Sequence, residues 1–171
     1  MDRGFTAVLQ ELGDDDLAPG ALLDHTGRVL VYRVGGAAGP LFGEMFRRAA
    51  EALGDARTLD AEAMLGAFRS ALEGVQRLGA AVEGDKTMVD ALVPAIGAFE
   101  REVRGGHVLT EATAQARDAA ERGMKATIPM QARKGRASYL GPRSVGHQDP
   151  GATSTYLLFE ALDRIVREAS S

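Results

Sequence analysis

The sequence predicts an all-α fold, an antiparallel bundle of about seven helices. Apolar residues recur at helical spacing along nearly the whole chain. No segment alternates apolar and polar residues as a β-strand would, and the glycines cluster where the helical pattern stops. Because the connections are short, consecutive helices should be antiparallel neighbours within a single domain that spans residues 1–171.

The first four predicted helices each have an identifiable beginning or end. An apolar stripe over 5–12 stops at the turn formed by 13–16. Pro19 suits the first position of the second helix, and Pro40 suits the same position of the third, since proline lacks the N–H that a helix start leaves unpaired. Asp60 is the expected N-cap of the fourth helix.

Three further helices follow. Thr87 is expected to cap the fifth, and Pro94 should kink it. The sixth, over 110–126, is rich in alanine, and its small side chains imply close contact with a neighbouring helix. Asp149 and Pro150 form an N-cap and first-position pair for the last helix.

The composition excludes several classes of protein. A formal net charge of -4 provides no general basic field to attract nucleic acid or an anionic membrane. The chain has no cysteine, which excludes disulfides and thiolate metal sites. It begins without the pattern of a signal peptide, and no apolar run approaches the roughly 18 residues that span a bilayer. We therefore expect a soluble, cytoplasmic domain.

Three glycine-rich breaks between helices are the candidate functional segments. The first lies in VGGAAGPLFGEMF, residues 34–46. One interpretation is a corner between two helices. The other is a phosphate or nucleotide cradle, because Gly35, Gly36 and Gly39 would let a ligand approach the backbone and the next helix offers unpaired N–H groups.

The second break, LGAAVEGDKTMVDAL at 78–92, resembles a P-loop but fails its tests. Two glycines have the right separation, yet Asp85 intervenes before Lys86, and the preceding segment is helical rather than a strand. We reject the P-loop. Two interpretations stay open: a helix start capped by Asp85 or Thr87, and a ligand wall in which Met88 makes an apolar contact with a base.

The third break, QARKGRASYLGPRSVGHQDPGATS at 131–154, is the most cationic segment of the chain. A solvated loop is the simpler interpretation. Against it, the segment is long for a connection between helices, and it carries Tyr139 and Leu140, which a purely solvated loop has no need of. A basic loop on an acidic body suggests a small anionic ligand. The cations of this basic loop are Arg133, Lys134, Arg136 and Arg143.

Four segments of the chain form a distinctive set: MDRGF, VGGAAGPLFG, EGDKTMVDALVPA and MQARKGRASYLGPRSVGHQDPGATS. Together they resemble the L subunit family of dihydroxyacetone kinase, a unit that also forms the C-terminal nucleotide domain of ATP-dependent dihydroxyacetone kinases. The resemblance runs in order through all 171 residues. It implies a barrel of antiparallel amphipathic helices, eight in the family, with a nucleotide at one end.

The resemblance also implies a function. In the phosphotransferase form of the family, the L subunit keeps ADP as a bound cofactor. A phosphohistidine on the M subunit phosphorylates that ADP, and the resulting ATP phosphorylates dihydroxyacetone held covalently by the K subunit. We therefore expect a phosphotransfer subunit that binds ADP or ATP, has K and M subunits as partners, and contains no catalytic nucleophile of its own.

The positions that match the family's motifs are the expected site residues. Arg136 matches the arginine near the phosphates and is the expected catalytic residue. Ala38 stands where a serine is common, which removes one hydroxyl that could bond to phosphate. The residues expected to bind the nucleotide are Gly36, Ala37, Ala38, Gly39, Gly79, Thr87, Met88, Arg136, Asp149, Pro150 and Gly151.

The family's metal loop resembles G-D-x-D-H-G-x-N, and its aspartates hold two Mg²⁺ ions. That loop runs into M-x-R-G-F, the motif at which this sequence begins, so no metal ligand is expected within the chain. A fragment, a start assigned to an internal methionine and a genuine truncation are three open explanations. The missing helix should leave an apolar groove, a site for self-association.

A non-catalytic function is the alternative hypothesis. Without the metal-binding aspartates, the chain would be a helical binding or regulatory module. Such a module would dock a K-type subunit without carrying nucleotide. Titration with Mg-ADP separates the two hypotheses.

Overall fold

The prediction of an all-α fold is confirmed. A computed structural model describes residues 1–13 and 16–171, and within these ranges it contains seven α-helices, one 3₁₀-helix and no β-strand. Asp14 and Asp15, which belong to the turn predicted at 13–16, lie outside the described residues.

The helices occupy nearly the ranges that the apolar periodicity predicts. None of those in the described part of the chain combines the length and the hydropathy needed to cross a bilayer. The α-helices are α1 (Asp2–Leu12), α2 (Pro19–Arg33), α3 (Ala38–Leu53), α4 (Ala61–Gly79), α5 (Val89–Arg104), α6 (Leu109–Ala126) and α7 (Pro150–Ala169), and the 3₁₀-helix is Arg136–Ser144.

The chain forms two compact units, residues 1–80 and 81–171. In the first unit, each of α1, α2 and α3 packs against the helix that follows it. The contact between α2 and α3 is close because it is built on glycine. A Cβ added to Gly27 would stand 2.7 Å from the carbonyl oxygen of Gly43 on α3. The two helix backbones could not approach so closely with larger residues at these positions.

In the second unit, α6 packs against both α5 and α7, and α5 also contacts α7. The close contact predicted for the alanine-rich helix is confirmed between α5 and α6, where a Cβ on Gly123 would lie 2.1 Å from the backbone oxygen of Asp90. The buried alanines of α6 are Ala112, Ala116, Ala119 and Ala120.

A buried carboxylate joins α6 to α7. Asp163 on α7 is 2% exposed and accepts hydrogen bonds from the Thr113 hydroxyl at 3.1 Å and from the Arg117 guanidinium, both on α6. Arg167, one turn further along α7, donates to the same carboxylate at 3.1 Å. Two guanidinium groups and one hydroxyl therefore compensate the burial of this charge.

Two of the predicted caps are confirmed and one predicted helix start is wrong. The Asp60 carboxylate accepts a hydrogen bond from the Ala63 N–H at 2.8 Å, and Asp149 starts α7 in the same way. Helix α3 begins at Ala38 rather than at Pro40. Proline is tolerated at Pro40 because the N–H groups of the first turn have no intrahelical partner.

Candidate functional site

Three hydrogen bonds connect the second glycine-rich break to the basic loop within the unit 81–171. The Lys86 ammonium donates to the carbonyl oxygen of Met130 at 2.9 Å and to that of Ser144. The backbone N–H of Arg133 donates to the carbonyl oxygen of Asp85 at 3.0 Å. Two segments that are some 45 residues apart in sequence are therefore neighbours in space, as a shared site would require.

A buried carboxylate shapes the loop before α5. Asp90 is 3% exposed and accepts hydrogen bonds from the backbone N–H groups of Gly84, at 2.6 Å, and Thr87, at 2.7 Å. Met88, rather than the predicted Thr87, occupies the N-cap position of α5, and it makes no side-chain cap bond. The Thr87 hydroxyl accepts from the N–H of Val89, the first residue of α5, at 3.1 Å, so it satisfies one N–H of the helix start from the position before the N-cap.

Asp85 is not the cap of α5 either. Its carboxylate accepts a hydrogen bond from the backbone N–H of Val82 at 3.0 Å, so it stabilises the turn that precedes the helix. The sequence assigned a role to neither Lys86 nor Asp90. In the sequence Lys86 was considered only in the P-loop comparison, which we rejected, whereas its actual partners lie 44 and 58 residues away.

The basic loop is held at both ends by buried hydroxyl groups. The Ser144 hydroxyl accepts a hydrogen bond from the backbone N–H of Ala132 at 2.9 Å, across the loop. The Thr127 hydroxyl accepts from the backbone N–H of Asp149 at 2.9 Å, at the start of α7. Both hydroxyls are almost completely buried. These bonds give the loop a defined path, which a purely solvated loop would lack.

The four cations of the basic loop are exposed, in contrast to its hydroxyl groups. Arg136 begins the 3₁₀-helix, and Arg143 lies near its end. Across residues 1–13 and 16–171, no carboxylate pairs with the side chains of Arg133, Lys134, Arg136 or Arg143. Since these charges are not neutralised by the described part of the chain, they are available to an anion.

Asp149, Pro150 and Gly151 form the junction of the basic loop with α7. The Asp149 carboxylate accepts from the Ala152 N–H at 2.7 Å. Burial raises the pKa of Asp149, and so does the nearby charge of Asp90, whereas hydrogen bonds from the backbone of α7 and the charge of Lys86 lower it. Because this carboxylate occupies the N-terminus of α7, that helix end is already capped by the protein itself.

Gly151 lies close to the start of α5. A Cβ at this position would stand 2.9 Å from the Asp149 carboxylate and 3.3 Å from both the Cβ and the backbone N of Met88. Met88 itself is buried, at 4% exposure, while Pro150 is exposed. The structure therefore brings Thr87, Met88, Asp149 and Gly151 together in one region.

The first glycine-rich break and Gly79 belong to the other unit, residues 1–80. Gly36 has φ +70°, Ala37 is exposed at the N-cap of α3, and no side chain caps this helix. Gly39 cannot carry a side chain, because its Cβ would lie 2.1 Å from the carbonyl oxygen of Val34. Gly36, Ala37, Ala38, Gly39 and Gly79 stay predictions as members of the nucleotide site.

Fold and site together define a helical protein whose basic loop is held by hydrogen bonds from buried side chains. The exposed cations of this loop are available to an anionic ligand. Comparison with known families identifies the class more closely: residues 1–164 match the DAK2 domain family. The chain belongs to this family.

Named relatives agree with that membership. The chain is 43% identical to the PEP-dependent dihydroxyacetone kinase ADP-binding subunit DhaL of Escherichia coli K12, over 98% of this chain and 80% of that protein. It is 41% identical to the ADP-binding subunit DhaL of the PEP-dependent dihydroxyacetone kinase 1 of Listeria innocua serovar 6a, over 95% of this chain and 76% of the relative.

A solved structure also resembles the chain. The dihydroxyacetone kinase of C. freundii, in its native form, superposes with a TM-score of 0.66 at 26% identity. The match covers 94% of this chain but only 28% of that kinase, so the similarity concerns one part of a much longer protein.

The residues available for Mg²⁺ are a separate matter. Among residues 1–13 and 16–171, no three carboxylate or imidazole side chains are grouped so as to hold a metal ion. We assign no step to the metal.

Proposed function

We propose that this chain is the ADP-binding phosphotransfer subunit of a dihydroxyacetone kinase. The observation that carries the proposal is the similarity to two ADP-binding subunits along almost the entire chain. The subunit would pass a phosphoryl group, by way of its bound nucleotide, from a phosphohistidine to dihydroxyacetone on a K subunit. The chain itself would bind, orient and neutralise charge.

Arg136 is the residue we propose at the phosphates. Its guanidinium is exposed and unpaired with the described carboxylates, and it stands at the start of a hydrogen-bonded 3₁₀-helix. A charge-assisted hydrogen bond to a phosphate oxygen is worth about 1.5–3 kcal/mol. Since phosphoryl transfer depends on positioning and on compensating negative charge, an arginine on an ordered backbone would supply positive charge at the phosphates.

The remaining nucleotide contacts follow from the same proposal. We propose that Thr87, Met88, Asp149, Pro150 and Gly151 contact the nucleotide, and the short distance between Gly151 and Met88 supports this grouping. We also propose as nucleotide contacts the residues Gly36, Ala37, Ala38, Gly39 and Gly79. Bound ADP supplies the phosphoryl acceptor, and Mg²⁺ would share the phosphate charge if other residues held it.

The partners we propose are a K-type subunit that holds the substrate and an M-type subunit that donates the phosphoryl group. The setting we propose is the cytoplasm. We further propose that residues 1–171 act as one nucleotide-binding domain, although they comprise two compact units. Self-association through an apolar groove belongs to the same set of proposals.

The proposal is tested by titrating the chain with ADP in a calorimeter, with and without Mg²⁺. Saturable binding of one ADP per chain is expected. The chain is then mixed with K and M subunits of a phosphotransferase-linked dihydroxyacetone kinase, and formation of dihydroxyacetone phosphate is followed. Absence of ADP binding under both conditions would contradict the proposal. Binding to the K subunit without nucleotide would favour the non-catalytic module instead.

A further inference from the structure

Lys86 has an unusual position for a lysine. It is 2% exposed, and its backbone adopts φ +62°, a left-handed conformation that residues other than glycine rarely adopt. Both features are unfavourable for a long cationic residue. Such a residue persists only where surrounding interactions hold it, and strained residues of this kind are concentrated at functional sites.

The partners of Lys86 are backbone oxygens. Its ammonium donates to the carbonyls of Met130 and Ser144, and no described carboxylate lies within ion-pair distance of it. A buried charge is normally paired with an opposite charge. The charge of Lys86 also acts beyond these bonds, because it lowers the pKa of Asp149, which burial raises.

The two carbonyls flank the part of the basic loop that carries its cations. Met130 directly precedes the loop, and Ser144 is the last residue of its 3₁₀-helix. All four exposed cations of the loop lie between these two positions. One ammonium group therefore bonds to the backbone on both sides of the cations that we propose to contact phosphate, and it adds a buried positive charge close to them.

We propose that Lys86 is a positioning residue for the phosphate groups of the nucleotide: it fixes the backbone on both sides of the basic loop's cations and supplies a buried positive charge that forms no ion pair with a described carboxylate. This inference rests on the proposed function. A neutral donor could fix the loop equally well, so the charge is the part that a purely structural role does not need. Charge acts on the phosphates of ADP and has little effect on adenosine, which has none.

The first test compares ADP with adenosine on the Lys86→Met and Lys86→Gln variants, by calorimetry in the presence of Mg²⁺. Loss of the charge should weaken ADP binding by about tenfold or more and leave adenosine within about twofold. The matched control is Lys125→Met, which removes a lysine that is exposed on α6 and paired with Glu121. This control should leave both affinities unchanged.

A second test restores the charge chemically. Because the chain has no cysteine, Lys86→Cys introduces a single thiol. The unfolded variant is alkylated with bromoethylamine, which rebuilds a lysine-like ammonium, or with iodoacetamide, which adds a neutral amide donor, and each product is refolded. The aminoethylated chain should regain ADP affinity to within about threefold of wild type, and the amide form should not.

Several results would overturn the inference. One is equal ADP affinity of wild type and the neutral variants, and another is a parallel loss of ADP and adenosine binding. A third is an amide product that binds ADP as well as the aminoethylated one. If only the aminoethylated chain refolds, the ammonium serves stability alone and the inference also fails. A wild-type chain that binds neither ADP nor adenosine would instead refute the proposed function.

Discussion

Thr113 and Thr155 of the second unit are both completely buried, and their hydroxyl groups differ in one respect. The hydroxyl of Thr113 bonds to the Asp163 carboxylate at 3.1 Å. The hydroxyl of Thr155 has no hydrogen-bond partner among the described residues. A buried hydroxyl without a partner loses its hydration and gains nothing in exchange, whereas a paired hydroxyl does not.

The two threonines should therefore respond in opposite directions to the same substitution. Thr155→Val removes an unpaired hydroxyl and should raise the free energy of unfolding by about 1 kcal/mol. Thr113→Val leaves the Asp163 carboxylate with one hydrogen-bond donor fewer and should lower the free energy of unfolding by about 1–2 kcal/mol. Urea unfolding followed by circular dichroism measures both. A lower stability of Thr155→Val would indicate a partner, such as a bound water, for this hydroxyl.

Asp149 should give the stability of the protein a characteristic dependence on pH. Burial raises its pKa in the folded state above the ordinary value of 3.8, so the folded state holds the proton more tightly than the unfolded state does. The stability contributed by this protonated carboxyl is present below pH 3.8 and is lost as the pH rises through the folded-state pKa.

Asp149→Asn tests this sign directly, because asparagine caps a helix as well as aspartate does and does not titrate. The unfolding free energy of wild type minus that of the variant should fall as the pH rises from below 3.8 towards neutrality. Urea unfolding at a series of pH values measures the difference. A difference that rises over this interval would mean that hydrogen bonds and Lys86 outweigh the burial of the carboxyl.

At the scale of elements, the sequence predicts helices well and the interior of the basic loop poorly. Apolar periodicity located all seven α-helices. The caps at Asp60 and Asp149 could be predicted because each bonds to a residue only three positions away. The 3₁₀-helix was not predicted, since it is short and φ +55° at Gly141 interrupts it. The bonds of Lys86 were also missed, because they join distant positions that no local pattern connects.

Close packing of α5 on α6 makes Gly123 a sensitive position. In Gly123→Ala the added methyl would lie 2.1 Å from the Asp90 carbonyl oxygen, so the helices must separate, and we expect a loss of about 1–3 kcal/mol in unfolding free energy. Gly97→Ala on α5 is the control, because its nearest neighbour is 3.7 Å away. That change should stabilise the protein by about 0.5–1 kcal/mol through helix propensity.

Thermal or urea unfolding of both alanine variants measures the effect. Equal responses of the two positions would show that α5 and α6 have room for a methyl group at Gly123. Gly123 packs against the backbone of Asp90 on α5, and the Asp90 carboxylate holds the loop before that helix. Gly123→Ala should therefore disturb this loop as well as lower the stability.

For the whole molecule, family membership could be read from the sequence because four long motifs occur in the right order, and the comparisons confirm it. The site was only partly predictable. Arg136 and the residues around Asp149 are predicted site residues that rest on the motifs, whereas the buried groups that hold the basic loop and the loop before α5, Lys86, Asp90 and Ser144, become visible only in three dimensions. The cations that we propose to bind phosphate are thus exposed, whereas the side chains that hold the backbone in place are buried.

We propose that the basic loop forms the phosphate side of an ADP site, and the affinities of Arg136→Ala for ADP and for adenosine are the sharpest test of this claim. Wild type should bind ADP more tightly than adenosine, and Arg136→Ala should weaken ADP by about tenfold or more while leaving adenosine within about twofold. Arg164→Ala, at an exposed position of α7, should change neither affinity. Equal affinities of wild type for ADP and adenosine, or an unchanged ADP affinity in Arg136→Ala, would contradict the claim.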